Sequence, residues 1–285
     1  MLEVLTQPFM IKALIAVILS GSASALIGVY MVLRGLSSIG AAIAHVALAG
    51  AAISLLTGLD PVVGALILSL VFALLSGYGE EKGEVKADMT IGVLFGFSTA
   101  VAALAISLSS PYAASAWRFL IGDVLGVTDS ELLVLAVMSL AVIGVITLFK
   151  MEFKYITFDP EGSSAMGLNV RFYRYLLLVL TAVSMVVNLR VVGSILSVAF
   201  IAIPAVVAYQ FSHSFEEMGK ISFLTILVSS ILGFLVSVML NLPTSAVVGV
   251  ILSVGYLISI KLSVKRRKCK SIIQCFRVVR EHHIK

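Results

Sequence analysis

Ser38-Ile39-Gly40-Ala41-Ala42-Ile43-Ala44-His45-Val46-Ala47-Leu48-Ala49-Gly50-Ala51-Ala52-Ile53-Ser54-Leu55-Leu56-Thr57 contains no carboxylate, lysine or arginine. As a helix rising about 1.5 Å per residue, the stretch reaches about 30 Å, the thickness of a bilayer's hydrocarbon core. Arg34 stands just before it and Gly58-Leu59-Asp60-Pro61 just after, so a charge and a turn punctuate the run. His45 is its one titratable side chain. At helical spacing His45 shares a face with Ser38, Ala41, Ala42, Ala49 and Ala52, small residues that leave room for a close partner helix or a narrow path.

The same pattern repeats outward in both directions. Uncharged runs occupy 13–33, 61–78, 90–109, 132–149, 175–189, 191–211, 221–240 and 243–260, which with 38–57 makes nine spans. Eight or ten remain open, because the run at 175–189 is short and only Arg190 separates it from the next. Residues 116–127 carry Trp117, Arg118 and Asp123 among apolar neighbours and read as an interfacial or re-entrant segment. Hydrophobic residues make up 60% of the chain and charged ones 12%, half the roughly 25% of soluble domains. Mean hydropathy is +1.13. The fold class is an all-α, polytopic membrane bundle over residues 1–262, followed by a basic tail at 263–285. The first run is long, and Glu3 stands where a cleaved signal has basic residues, so it reads as a retained helix.

Lysine and arginine fall unevenly once the loops alternate sides. Arg34, Lys82, Lys86, Lys150, Lys154, Arg171, Arg174, Lys220 and nine residues from Lys261 to Lys285 lie on one side. Lys12, Arg118 and Arg190 lie on the other. The positive-inside rule makes the rich side, and with it the C-terminus, cytoplasmic. Cys269 and Cys275 both lie in the tail, where a reducing cytoplasm disfavours a disulfide. With His282 and His283 they suggest a zinc site, but the spacing matches no standard pattern and a lipid-facing basic tail is the preferred reading.

No Asp, Glu, Lys or Arg falls inside the nine runs, which disfavours proton-coupled secondary transport. There is no GxxxxGK[ST] phosphate loop, so the chain does not hydrolyse ATP itself. A His-Glu-x-x-His helix is absent too, and one histidine cannot hold a catalytic zinc. The chain reads as a non-enzyme with no tightly bound cofactor. Transport driven from outside, by a gradient or by a separate ATPase, is what remains. For His45 two readings stand: packing glue hydrogen-bonded to a neighbouring helix, or a ligand on an ion path.

Gly40, His45 and Gly50 resemble the second-helix signature of the zinc/manganese ABC importer permeases (ABC-3 type), in which a Gly-Asp pair precedes a histidine by four residues. Ala41 departs from it, standing where the family has Asp. An Asp and a His at i, i+4 can pass a divalent cation between them, and losing the carboxylate leaves a softer, less charged site. Further resemblances follow in order. Ala87-Asp88-Met89-Thr90-Ile91-Gly92 looks like the start of a mid-chain span, and Gly122-Asp123-Val124-Leu125-Gly126-Val127-Thr128 like a Gly-Asp-rich segment. Val192-Gly193-Ser194-Ile195-Leu196 through Ile203-Pro204-Ala205 resembles a late helix with a central proline, and Leu242-Pro243-Thr244-Ser245 a turn before the last helix, with Asn241 standing where an acid is common. Together they cover residues 10 to 262.

Residues 150–174 offer a second site. Asp159-Pro160-Glu161 is a strong helix start, and Gly167 is placed to end the helix after about two turns, giving a short exposed helix at about 159–168. An ordinary amphipathic connector is the plain reading. In the resembling family this loop carries an acid, an alanine and a glycine, matched by Glu161, Ala165 and Gly167, and acts as a coupling helix docked on an ATPase. Residues 79–89 and 213–220 read as solvated connectors, the second with a Phe215-Glu216-Glu217-Met218 run of unassigned role.

The resemblance implies a type II-like permease domain, present as two copies, driven by two cytoplasmic ATPases and fed by an extracellular metal-binding protein. Zinc or manganese is the implied cargo, His45 the metal ligand, and Ala41, Asp123 and Pro204 gating or path-lining positions. Asp123 and Asp60 also read simply as cap or turn residues, and a kink at Pro204 as packing. The longest outer segment, 110–131, is where the binding protein is expected. Membrane lipid is a partner and nucleic acid is not. A passive cation channel, or an ABC importer of a metal chelate, are the alternatives.

Overall fold

The computed structural model describes residues 7–82, 87–108 and 118–263, the side chains of 80–82 and 87–90 excepted. Cys269, Cys275, His282, His283 and Trp117 lie outside these residues. The described helices are α1 (Pro8–Leu33), α2 (Ile39–Thr57), α3 (Pro61–Lys82), α4 (Ala87–Leu108), α5 (Asp129–Leu148), α6 (Lys150–Phe158), α7 (Pro160–Ala165), α8 (Val170–Val191), α9 (Gly193–Phe211), α10 (Phe215–Leu240) and α11 (Thr244–Leu262). Among the described residues nine are long and apolar enough to cross a membrane, all but α6 and α7.

Side-chain size decides which helices are central. The serine, glycine and alanine residues of α1 and α2 let neighbours approach, and 72% of the most apolar window of each is buried, against 22% in α4, α5 and α11. α2 packs on α3, α4, α8 and α9, while α1 packs on α5, α8, α9 and α10. At the α2–α3 crossing a Cβ on Gly50 would lie 2.3 Å from the Gly64 carbonyl oxygen. At the α1–α9 crossing a Cβ on Gly28 would overlap the Ile201 carbonyl. Inside lipid these contacts supply the packing that hydrophobic exclusion supplies in water. Between α1 and α8, Asn188 Nδ2 donates to Ser24 Oγ at 2.8 Å.

Helices run past the ends of the uncharged runs because charged side chains in the terminal turns reach interfacial water. Thus α8 starts at Val170 and keeps Arg171 and Arg174, and α10 starts at Phe215. The expected connectors shrink accordingly. Residues 79–82 and 87–89 are helical, with 83–86 outside the described residues. Phe215-Glu216-Glu217-Met218 is the first turn of α10. Ser214 Oγ accepts from the Glu217 amide at 3.2 Å, and Glu217 accepts from the His213 amide at 2.7 Å, a reciprocal cap.

The break between α8 and α9 is real. Gly193 has φ +78 and meets Gly122, with φ +84, where the segment after a helical turn at 118–121 crosses it. A Cβ on Gly122 would fall 2.4 Å from the Val192 carbonyl carbon, and one on Gly193 2.4 Å from the Gly122 nitrogen. The Asp123 amide donates to the Val191 carbonyl at 3.1 Å, and Ser245 Oγ donates to the Ile121 carbonyl. Residues 118–127 thus cap one end of the bundle. The opposite end carries Arg34, Lys150, Lys154 and Lys220 and is the lysine-rich end.

Candidate translocation site and coupling surface

His45 lies in the second turn of α2, half-buried, with its ring against Phe95 of α4 at 4.7 Å between centroids and an interplanar angle of 74°. Its Nδ1 is buried and has no hydrogen-bond partner. A buried polar atom left unpaired costs free energy, so this nitrogen is held at some expense. Ala41, one turn away, is also half-buried and supplies no donor atom. Among the described residues no three His, Cys, Asp or Glu side chains gather closely enough to hold a metal ion. One imidazole offers a single lone pair, so any cation passing here needs further oxygen or nitrogen donors from water, backbone or another chain.

Pro204 lies near the middle of α9. It is buried within a continuous α9, one turn beyond Ile201. Ile201 is the residue against which Gly28 and Gly40 pack, so the proline sits in the layer where α1, α2 and α9 meet. Its missing amide leaves the Phe200 carbonyl without the usual helical donor.

At the capped end, Asp123 Oδ1 accepts from the Gly126 amide at 3.0 Å and Oδ2 pairs with Arg118 at 2.5 Å. Asp60 Oδ1 accepts from the Val62 amide at 2.7 Å and starts α3. Glu131 caps α5 with Thr128 and pairs with Arg190 at 2.6 Å. These three acids and two arginines line a cavity of about 230 Å³. Its polar groups are largely paired with one another, which suits a rigid mouth.

At the lysine-rich end Asp159 Oδ1 accepts from the Gly162 amide at 2.8 Å and caps α7, with Pro160 in the first helical position. Gly167, at φ +85, ends it, and the Leu168 amide returns to the Ser163 carbonyl at 3.0 Å. Glu161, Ser164, Ala165, Met166 and Gly167 are exposed, while Ser163 is buried. The four residues singled out from sequence therefore do come together: Asp159 shapes the turn, and Glu161, Ala165 and Gly167 form its open face.

Sequence reasoning missed α6. Phe149, Phe153 and Ile156 fall at helical spacing, a signal present in the 149–158 stretch. Phe153 is fully buried, with its ring 5.7 Å from Tyr30 of α1 and 5.9 Å from Tyr173 of α8. Phe149 lies 5.7 Å from Tyr173. This aromatic knot joins the exposed turn to α1 and α8.

The family profile for the ABC 3 transport family matches residues 6–263. A manganese transport system membrane protein, MntC of Listeria innocua, is 33% identical over 270 residues, 93% of this chain and 96% of that protein. A chelated iron transport system membrane protein, YfeD of Yersinia pestis, is 30% identical over 259 residues, 90% of this chain and 86% of that protein. Among solved structures, PsaBC from Streptococcus pneumoniae in complex with Fab superposes with a TM-score of 0.81 at 29% identity, covering 92% of this chain and 94% of that one. With the capped end, the nine spans and the exposed turn all falling inside residues 6–263, the chain belongs to the ABC 3 transport family.

Proposed function

We propose that this chain is the membrane permease of an ATP-driven importer for a divalent transition metal, with manganese the first cargo to test and zinc the second. The observation that carries the reading is the exposed α7 turn. A passive pore has no use for a capped, solvent-facing helix pinned to α1 and α8, whereas a permease lacking its own ATPase needs a handle. Kinship with a manganese transport protein supports the cargo, and the unpartnered His45 nitrogen supports an ion path beside α2.

Two copies enclose the path, with His45 of each facing it. The lysine-rich end faces the cytoplasm, as the positive-inside rule requires. There, ATPase subunits grip Glu161, Ala165 and Gly167. ATP hydrolysis on those partners moves α7, and the aromatic knot at Phe153 carries the displacement into α1 and α8 as a rigid-body, two-state change. At the other end, the 118–131 region receives the ion from an extracellular binding protein. Asp60, Asp123 and Glu131 attract cations there, while Arg118 and Arg190 keep the mouth from trapping them.

A second cargo is favoured by one observation. Ala41 removes a hard oxygen donor next to His45, and a relative named for chelated iron is nearly as similar as the manganese one. Metal uptake into proteoliposomes holding this chain, its ATPase and its binding protein decides between these. ATP-dependent uptake of one cation, abolished by His45→Ala, is expected. Equal uptake without ATP points to a channel, and uptake indifferent to His45→Ala returns that residue to packing.

A further inference from the structure

Between α1, α5 and α10, at the lysine-rich end, lies a groove of about 560 Å³ that none of the steps above uses. Its walls are apolar: Leu26 and Val29 of α1, Ile146 of α5 and the half-exposed ring of Phe223. Its rim is charged. Lys150, Lys220 and Glu216 stand at the mouth. Glu216 is shared between Lys154 at 3.1 Å and Lys150 at 3.7 Å, so one carboxylate serves two ammonium groups. Lys220 is exposed and makes no ion pair among the described residues. The rim therefore carries excess positive charge at the level where the apolar spans end.

We infer that this groove is a binding site for an anionic phospholipid, its phosphate held by Lys150 and Lys220 and an acyl chain lying along Leu26, Val29 and Phe223. Both halves of the ligand are matched by what is present. An apolar channel opening sideways between spanning helices meets lipid tails first, and a basic pocket at the interfacial level selects anionic head groups. Lys220 lies in the second turn of α10 and lines the groove, within reach of the interface for a long cationic side chain. The site touches Tyr30 and Phe215, whose rings meet at a tilt of 53° with centroids 5.1 Å apart, so an occupying lipid braces the same aromatic knot that holds α6.

Gly219 provides a clean way to close the groove. It lines the site, and a Cβ there meets nothing within 4 Å, so a side chain at this position starts into open space inside the groove. Thermal unfolding of the purified full chain in neutral detergent is measured with phosphatidylglycerol, with phosphatidylcholine of the same chains, and with inorganic phosphate. Phosphatidylglycerol is expected to raise the Tm above the other two. Lys150→Ala/Lys220→Ala is expected to raise the half-maximal phosphatidylglycerol concentration by at least about tenfold. Gly219→Leu is expected to keep the lipid-free Tm and abolish the specific increment. Equal shifts with the two lipids, an increment that survives both variants, or an equal shift with inorganic phosphate would each overturn the assignment. So would a Gly219→Leu chain that loses self-association while showing no lipid preference, since the groove would then belong to a second copy.

Discussion

His45 and Ala41 stand one turn apart on α2, so a donor introduced at residue 41 falls on the same helix face as the imidazole. Replacing Ala41 with Asp places a hard oxygen donor one turn from the imidazole at a half-buried position. If this face lines the path, Ala41→Asp lowers the manganese concentration for half-maximal uptake on the order of tenfold. Unchanged uptake would place residue 41 off the path. The glycines of the capped end make a second test. Gly122 and Gly193 combine positive φ with near-contact of two backbones, whereas Gly35, at φ +70, has nothing within 4 Å of a built Cβ. Alanine at Gly35 therefore costs only the left-handed conformation, about 1–2 kcal/mol. Gly122→Ala and Gly193→Ala add overlap with the opposing backbone. Their Tm is expected to fall further than that of Gly35→Ala, and equal losses would mean that the crossing yields easily.

Helix α6 buries Phe153 and Ile156, whereas α7 buries only Ser163, so anchoring and docking can be tested by separate substitutions. Phe153→Ala removes a fully buried ring at the centre of the knot and is expected to cost about 3–5 kcal/mol, read as a lower Tm. Ala165→Trp on exposed α7 leaves the Tm unchanged and abolishes ATP-dependent uptake by obstructing the partner's approach. If Ala165→Trp transports normally, α7 is not the handle. The spans themselves were legible in the sequence because a bilayer imposes a length and an absence of charge that few other contexts do. Their ends were not. Arg171 and Arg174, which halted the reading of 175–189, sit within α8, since long cationic side chains extend to water from a helix already under the interface. Asp159, Pro160 and Gly167 were legible because capping is local chemistry. Pro204 was legible as a break in hydrogen bonding, open to a packing or a gating role. Its burial against the layer of α1 and α2 depends on residues some 170 positions earlier, which no local pattern encodes.

Across the whole molecule the distribution of charge makes a topological prediction. In a chain whose Cys269 and Cys275 are replaced by Ser, Met166→Cys on the exposed turn is expected to resist a membrane-impermeant thiol reagent in intact cells. Leu125→Cys, 44% exposed at the capped end, is expected to react. The reverse pattern would invert the importer. The two charged ends also differ in kind: at the capped end Arg118 and Arg190 pair with Asp123 and Glu131, and at the opposite end Lys150 and Lys154 share Glu216. Finally, the pairing of α1 with α8 and α9 has a temporal side. Ser24 meets Asn188 across 164 residues of sequence, and Gly28 waits for Ile201. At roughly 5–20 residues per second, a ribosome needs about ten to thirty seconds to deliver those partners. For that interval the polar and glycine-lined faces of the first helix stand in the bilayer without their permanent neighbours. The order in which this chain is made thus leaves its first helix to wait longest for its packing, and slowing elongation between residues 34 and 188 is expected to lower the yield of folded protein.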